Sequence, residues 1–159
     1  MRIAAYAPLK PPDHPVPSGD RRVARLLDGA LTHSGHHIEW PSRFRSRDGS
    51  GDARRQARLA RIGGWLAARL VRRWQAAAPS ERPQLWLTYH VYYKAPDHLG
   101  PAVARALGIP YVVVEASLAM KRAGGPWDAG HRATLAALAA AHAVVSLNPG
   151  DTPALEERS

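Results

Sequence analysis

The sequence predicts an α/β fold, a doubly wound parallel sheet of about five strands with helices on both faces. Three observations predict it. Short apolar or β-branched runs alternate with segments of helical periodicity along the chain. One run, IPYVVVE at 109–115, is apolar without alternation, as in strands buried on both faces. Glycine and proline punctuate the junctions, and each parallel connection must then be a right-handed crossover.

In chain order, residues 3–9 form a short apolar strand. A helix follows over 21–34, with Val23, Leu26, Leu27, Ala30 and Leu31 at helical spacing and Gly35 as its stop. Residues 37–40 make a second strand, and 42–52, rich in Arg, Ser, Gly and Asp, a loop. A long helix over 53–78 ends at Pro79. Residues 84–93 (QLWLTYHVYY) are aromatic and β-branched enough for a third strand. The helix over 97–107, closed by Gly108, leads into the fourth strand at 109–115. A glycine-containing loop at 123–126 precedes a helix over 127–141 and a fifth strand over 143–147. Residues 152–158 begin one more helix.

The length, 159 residues with 45% hydrophobic side chains, fits one domain over 1–150, with 151–159 as the start of a linker or final helix. There is no run of 18 apolar residues and no signal-peptide pattern, so the expected setting is cytoplasmic. The absence of cysteine excludes disulfides, thiolate metal sites and thiol nucleophiles. Eight histidines are scattered without ligand spacing, so no metal is expected. Neither G-x-G-x-x-G nor G-x-x-x-x-G-K-[ST] occurs, which removes the main support for a dinucleotide cofactor or a P-loop.

The net charge of +9 is localised. Between Arg43 and Arg82 stand 11 arginines against Asp48, Asp52 and Glu81, so this quarter of the chain carries +8. On the helix from Ala53, Arg54, Arg58, Arg61, Arg69 and Arg72 lie together with Trp65 among them, beside the face of Leu59, Ile62, Leu66, Leu70 and Trp74 expected to meet the sheet. Indole and guanidinium both settle at the headgroup level of membranes, so this patch predicts peripheral binding to an anionic membrane, at its inner face. The competing reading is a solvated face with Trp65 partly buried. Nucleic acid is a weaker candidate, because no nucleic-acid motif accompanies the charge.

In such a sheet, ligands bind beyond the carboxyl ends of the strands, where strand order reverses. The segments that should meet there carry Ser18, Gly19, Asp20 and Arg21 after the first strand, and His90 and Lys94 at the third. Glu115, Ser117, Lys121 and Arg122 follow the fourth, and Asn148 and Asp151 the fifth. With Lys10 and Arg22 of the same first segment, six cations stand there against Asp20, Glu115 and Asp151, which predicts an anionic ligand. Pro11, Pro12, Pro15 and Pro17 stiffen the first loop, and Ser18-Gly19 offers backbone amides at a helix start, where the dipole favours anions. Alternatively Ser18 or Asp20 is only a helix cap. His90 falls where a general base or a ligand hydrogen bond is placed well.

Two stretches, RIAAYAPLKPPDHPVPSGDRRVARLLDGALTHSGHHIEW and LWLTYHVYYKAPDHLGPAVARALGIPYVVVEAS, resemble the N-terminal domain of a GT-B-fold glycosyltransferase, in the group related to glycosyltransferase family 4. The likeness lies in the first strand, glycine-bearing loop, helix and Gly35-His36 turn, and in the Gly-Ile-Pro before the fourth strand. It implies transfer of a sugar from a nucleotide-sugar donor to a glycan or lipid-linked acceptor, without a cofactor or metal and with retention at the anomeric carbon. It also implies that the N-terminal domain chiefly holds the acceptor and that Ser18 and Gly19 approach the donor phosphates; beside His90, placed by its strand end, Glu115, Ser117, Lys121 and Arg122 are candidates for the family's catalytic contact near 115–117. Many members carry a histidine near 115–117 that this chain lacks. A second, donor-binding domain or partner chain is required by that scheme, so the chain alone is expected to transfer sugar poorly. The alternative is a noncatalytic Rossmann-like module for an anionic ligand or partner chain.

Overall fold

The computed structural model describes residues 1–147. Its first strand, β1 (Arg2–Tyr6), is a five-residue apolar run buried from Ile3 onward, and it ends before Leu9 because the proline loop has started. α1 (Gly19–His33) begins where Ser18 caps it, the side chain accepting from the Arg21 amide at 3.2 Å. β2 (His37–Glu39) is short. α2 (Ala53–Ala76) is capped by Asp52, and a single 3₁₀ turn at Pro79–Glu81 follows it.

β3 (Leu85–Tyr92) is the longest strand, and α3 (Gly100–Leu107), β4 (Tyr111–Ser117), α4 (Asp128–Ala140) and β5 (Ala143–Val145) complete the order. The expected helix at 97 starts three residues later. Asp97 does not enter the helix; its carboxylate accepts from the Leu99 and Gly100 amides, both at 2.8 Å. β4 starts and ends two residues later than expected, with Pro110, which has no amide hydrogen to donate, just outside it. The expected strand residues Ser146 and Leu147 fall outside β5, and the helix expected over 152–158 lies outside the described residues.

All five strands are parallel, in the order β2-β1-β3-β4-β5. Strand order reverses between β1 and β3, so the binding crevice of a doubly wound sheet falls at the carboxyl ends of those two strands.

The two faces are covered unequally. α2, α3 and α4 pack on one side, where Tyr6, Leu70, Trp74, Trp86, Leu99, Val103, Tyr111 and Val113 form the main core. Trp74 and Trp86 meet edge to face at 6.2 Å, and truncating either to Ala would cost about 3–5 kcal/mol. α1 covers the other side with Val23, Ala24 and Leu27 over Ile3, Leu87 and Tyr89. A polar knot anchors α3 within the main core. The Trp86 indole donates to Thr88 Oγ1 at 2.8 Å, and the Thr88 and Tyr111 hydroxyls donate to Asp97 Oδ2 at 2.5 and 2.9 Å. All four of these side chains, Trp86, Thr88, Asp97 and Tyr111, are bonded to one another, as burial of polar groups requires.

Near their ends, β3 and β4 break alternation together. Thr88 and Val113 face the main core, Tyr89 and Val114 the α1 side, yet Val91 and Ala116 face the main core again. The residues in between, His90 and Glu115, have φ of 60° and 66°, the left-handed region, and stand side by side because Tyr89 pairs with Val114 and Val91 with Ala116. Each strand carries one extra residue at the same level. The register is therefore kept while the pattern of faces shifts.

Candidate functional site

His90 and Asp20 meet at the switch point. The helix start that Ser18 fixes brings Asp20 into the first turn of α1, and the left-handed twist at position 90 turns the imidazole toward it. Nδ1 of His90 lies 2.6 Å from Asp20 Oδ1, with the two side chains 24% and 28% exposed. A carboxylate can only accept, so the pairing assigns the proton to Nδ1 and leaves Nε2 able to accept one. The Tyr89 and Tyr92 rings flank the imidazole at 5.8 and 5.2 Å.

Burial, together with the carboxylates of Asp20 and Glu115, pushes the Tyr89 hydroxyl up to about 12. Glu115, across from His90 on β4, accepts from the Leu147 amide at 2.9 Å. Burial also raises the Tyr92 hydroxyl, against the opposing pull of Arg47 beside it.

The proline loop is held by arginines. Arg21 and Arg25 both donate to the Pro12 carbonyl, at 3.3 and 2.9 Å, and Arg45 donates to the Leu9 carbonyl at 2.8 Å. Ser18 is indeed the cap of α1, which engages its hydroxyl. A shallow groove of about 490 Å³ runs beside that helix start, lined by Pro17, Ser18, Gly19, Arg21, Arg22 and Arg25.

Two of the predicted cations, Lys94 and Arg122, form an aromatic platform with Tyr93 and Trp127. Tyr93 and Trp127 meet edge to face at 5.9 Å, with Lys94 Nζ 5.7 and 5.0 Å from the two ring centroids and the Arg122 guanidinium 5.0 and 5.2 Å. Nε of Arg122 is buried without a hydrogen-bond partner among the described residues. Lys121 is exposed on the 3₁₀ turn Met120–Arg122 and makes no contact with the dyad, and Ser117 pairs with Tyr92, beyond the level of His90. Asn148 and Asp151 lie outside the described residues.

One buried carboxylate, which no sequence motif marks, holds this platform in place. Asp48 accepts from Ser50 Oγ at 2.6 Å, from the Gly51 amide at 2.9 Å and from Gln56 Nε2 at 3.1 Å. Burial alone would raise its carboxyl, but these bonds together hold it below the ordinary value. Gln56 also donates to the Pro126 carbonyl at 2.7 Å and accepts from the Gly130 amide at 3.1 Å, while the Trp127 indole donates to the Asp48 carbonyl at 3.2 Å. Gly130 must be glycine for this approach, since a Cβ there would collide with the Tyr93 carbonyl.

Among the described residues, no group of three or more His, Asp or Glu side chains is arranged to hold a metal ion. No family model matches the chain, and neither a curated protein nor a solved structure matches it. The site stands on its own geometry: a histidine-carboxylate dyad in the crevice, a cation-lined helix start and a cationic aromatic platform.

Proposed function

We propose that this chain is the acceptor-side domain of a glycosyltransferase of the GT-B type, in which His90 activates an acceptor hydroxyl. The single observation behind this reading is the Asp20–His90 pair at the switch point, 2.6 Å apart and partly open to solvent. In the proposed step, Nε2 takes the proton of the acceptor hydroxyl, and that oxygen attacks the anomeric carbon of a nucleotide-sugar. The bond to the nucleotide diphosphate breaks, and its electron pair leaves with the diphosphate. Asp20 fixes the tautomer and balances the imidazolium that forms. Cations at the helix start and on the aromatic platform favour the anionic parts of the ligands.

Backbone strain supports a functional role for this level of the sheet. Two adjacent non-glycine residues in the left-handed region cost roughly 1–2 kcal/mol each, and such costs collect at functional sites. A direct displacement assisted by a base would invert the anomeric centre, whereas the family resemblance implies retention, so the product's anomer separates a base role for His90 from a positioning one.

The test is a titration of the ¹³C-labelled histidine and ¹⁵N amide spectra with UDP-glucose, GDP-mannose and a polyprenyl-phosphate-linked glycan. The expected result is a shift at His90 and at the Gly19 and Asp20 amides, lost in Asp20→Asn. Shifts confined to other parts of the surface with all three probes would sink the reading. A second reading, a noncatalytic module for an anionic ligand, is favoured by the Arg122 Nε, unpartnered among the described residues. It predicts shifts at Lys94, Arg122 and Trp127 that survive His90→Ala. No helix among the described residues is long and apolar enough to cross a membrane. We place the reaction in the cytoplasm, at the inner face of the membrane.

A further inference from the structure

α2 carries seven arginines and no acidic residue along its 24 positions. Two of the seven are engaged, Arg55 with Asp48 and Arg73 with Glu39. The other five, Arg54, Arg58, Arg61, Arg69 and Arg72, are all exposed and have no ion-pair partner among the described residues. With Trp65 they fall within an arc of about 80° and span about 27 Å of helix axis, at 3.6 residues per turn and 1.5 Å per residue.

The arc lies on the reverse of the buried stripe of Gln56, Gly63, Ala67, Leu70 and Trp74. It therefore points straight out from the sheet. Trp65 is 58% exposed in the middle of the row, with the Arg69 guanidinium 5.8 Å from its ring centroid. Gly64 and Ala68 on its flank leave the indole standing proud of the helix surface. A large apolar ring left in water needs a reason, and a core role is excluded here by its exposure.

We propose that this ridge is a membrane-docking surface that lays α2 flat on a bilayer rich in anionic phospholipid, with Trp65 at headgroup depth and the arginines on lipid phosphates. A straight ridge on a convex face meets a plane along its whole length. The helix start is tied to the start of α4 through Gln56, which bonds Asp48, the Pro126 carbonyl and the Gly130 amide, so it cannot enter a groove end-on. Indole and guanidinium are the pair that settles at the bilayer interface, and each basic residue near an anionic surface contributes about 1 kcal/mol. The inference does not depend on sugar transfer at the dyad.

The test is sedimentation of the full chain with vesicles of phosphatidylglycerol in phosphatidylcholine, compared with phosphatidylcholine alone, at about 0.1 M salt where surface charges are screened beyond about 10 Å. The expected result is at least about 100-fold preference for the anionic vesicles, falling about 30-fold in Arg58→Gln/Arg61→Gln. Brominated lipid should quench tryptophan fluorescence in the native chain and much less in Trp65→Phe. All substituted side chains are exposed, so unchanged circular dichroism and melting are expected to accompany the loss. Equal binding to both vesicles, indifference to the arginine changes, or release from vesicles by an oligonucleotide that itself binds more tightly would each overturn the proposal, the last in favour of nucleic acid. Asp20→Asn should leave vesicle binding intact, so failure here is distinct from failure of the catalytic reading.

Discussion

Nδ1 of His90 lies 2.6 Å from Oδ1 of Asp20, across 70 positions of sequence and between two different elements, the end of β3 and the first turn of α1. The contact exists because a proline loop stops β1, Ser18 sets the helix start, and a left-handed residue redirects β3. Three local rules thus converge on one pair.

If this pair is the base, Asp20→Asn should lower sugar transfer by about 100-fold or more once donor and acceptor are known, the lower end of what positioned proton transfer supplies. Stability should change by less than about 1 kcal/mol, since a pair this open to solvent contributes little to folding. Transfer assays beside urea unfolding check both. A large loss of stability with intact transfer would assign the pair to structure.

Glu115→Gly should stabilise the chain by about 1 kcal/mol, because glycine adopts positive φ without the steric cost that glutamate bears. Its bond from the Leu147 amide is exposed and offsets little of this. Equilibrium urea unfolding measures the difference. A loss of stability instead would mean that the carboxylate does more for the fold than the strain costs.

Acid should remove the stabilisation that Asp48 contributes. The folded state holds the Asp48 carboxyl below 3.8, so the unfolded chain takes up its proton first. The stabilisation is complete above that value and disappears as pH falls through the depressed one. Unfolding midpoints between pH 5 and 2.5 should drop more steeply for the native chain than for Asp48→Asn, which starts lower.

Gly130→Ala forces a methyl group into the Tyr93 carbonyl, a backbone atom that cannot yield cheaply. A loss of about 1–3 kcal/mol is expected. Because Tyr93 is part of the platform, fluorescence of the adjoining Trp127 should change with it. An unaltered spectrum at full stability would show that α4 can retreat.

Much of this architecture was legible in the sequence. Apolar runs placed all five strands, and the Ser18-Gly19-Asp20 start and the position of His90 put two loops at one crevice. Helical spacing also set the arginine row apart from the buried face, although the sequence left open whether Trp65 was partly buried. What escaped had a physical cause in each case. Asp97 looked like a helix residue because a cap from outside has no periodicity; Glu115 is not a residue type that advertises positive φ, and His90, though histidine is enriched there, sits inside an aromatic and β-branched run that reads as plain strand. The Asp48 hub joins Gln56, Pro126 and Gly130, and nothing local to Asp48 or Gln56 announces partners 70 and 74 positions from Gln56.

The matched extra residues in β3 and β4 have a consequence for chain length. Excising His90 alone would shorten one strand and slide every later pairing with β4 by one step. Excising Glu115 alone would do the same from the other side. Removing both would keep the two strands in step and restore an unbroken two-residue rhythm, Tyr89 to Val91 beside Val114 to Ala116, with the core residues still on their own faces. Such a double deletion describes a plainer sheet without a dyad, so the site amounts to a paired insertion that leaves the core pattern unchanged.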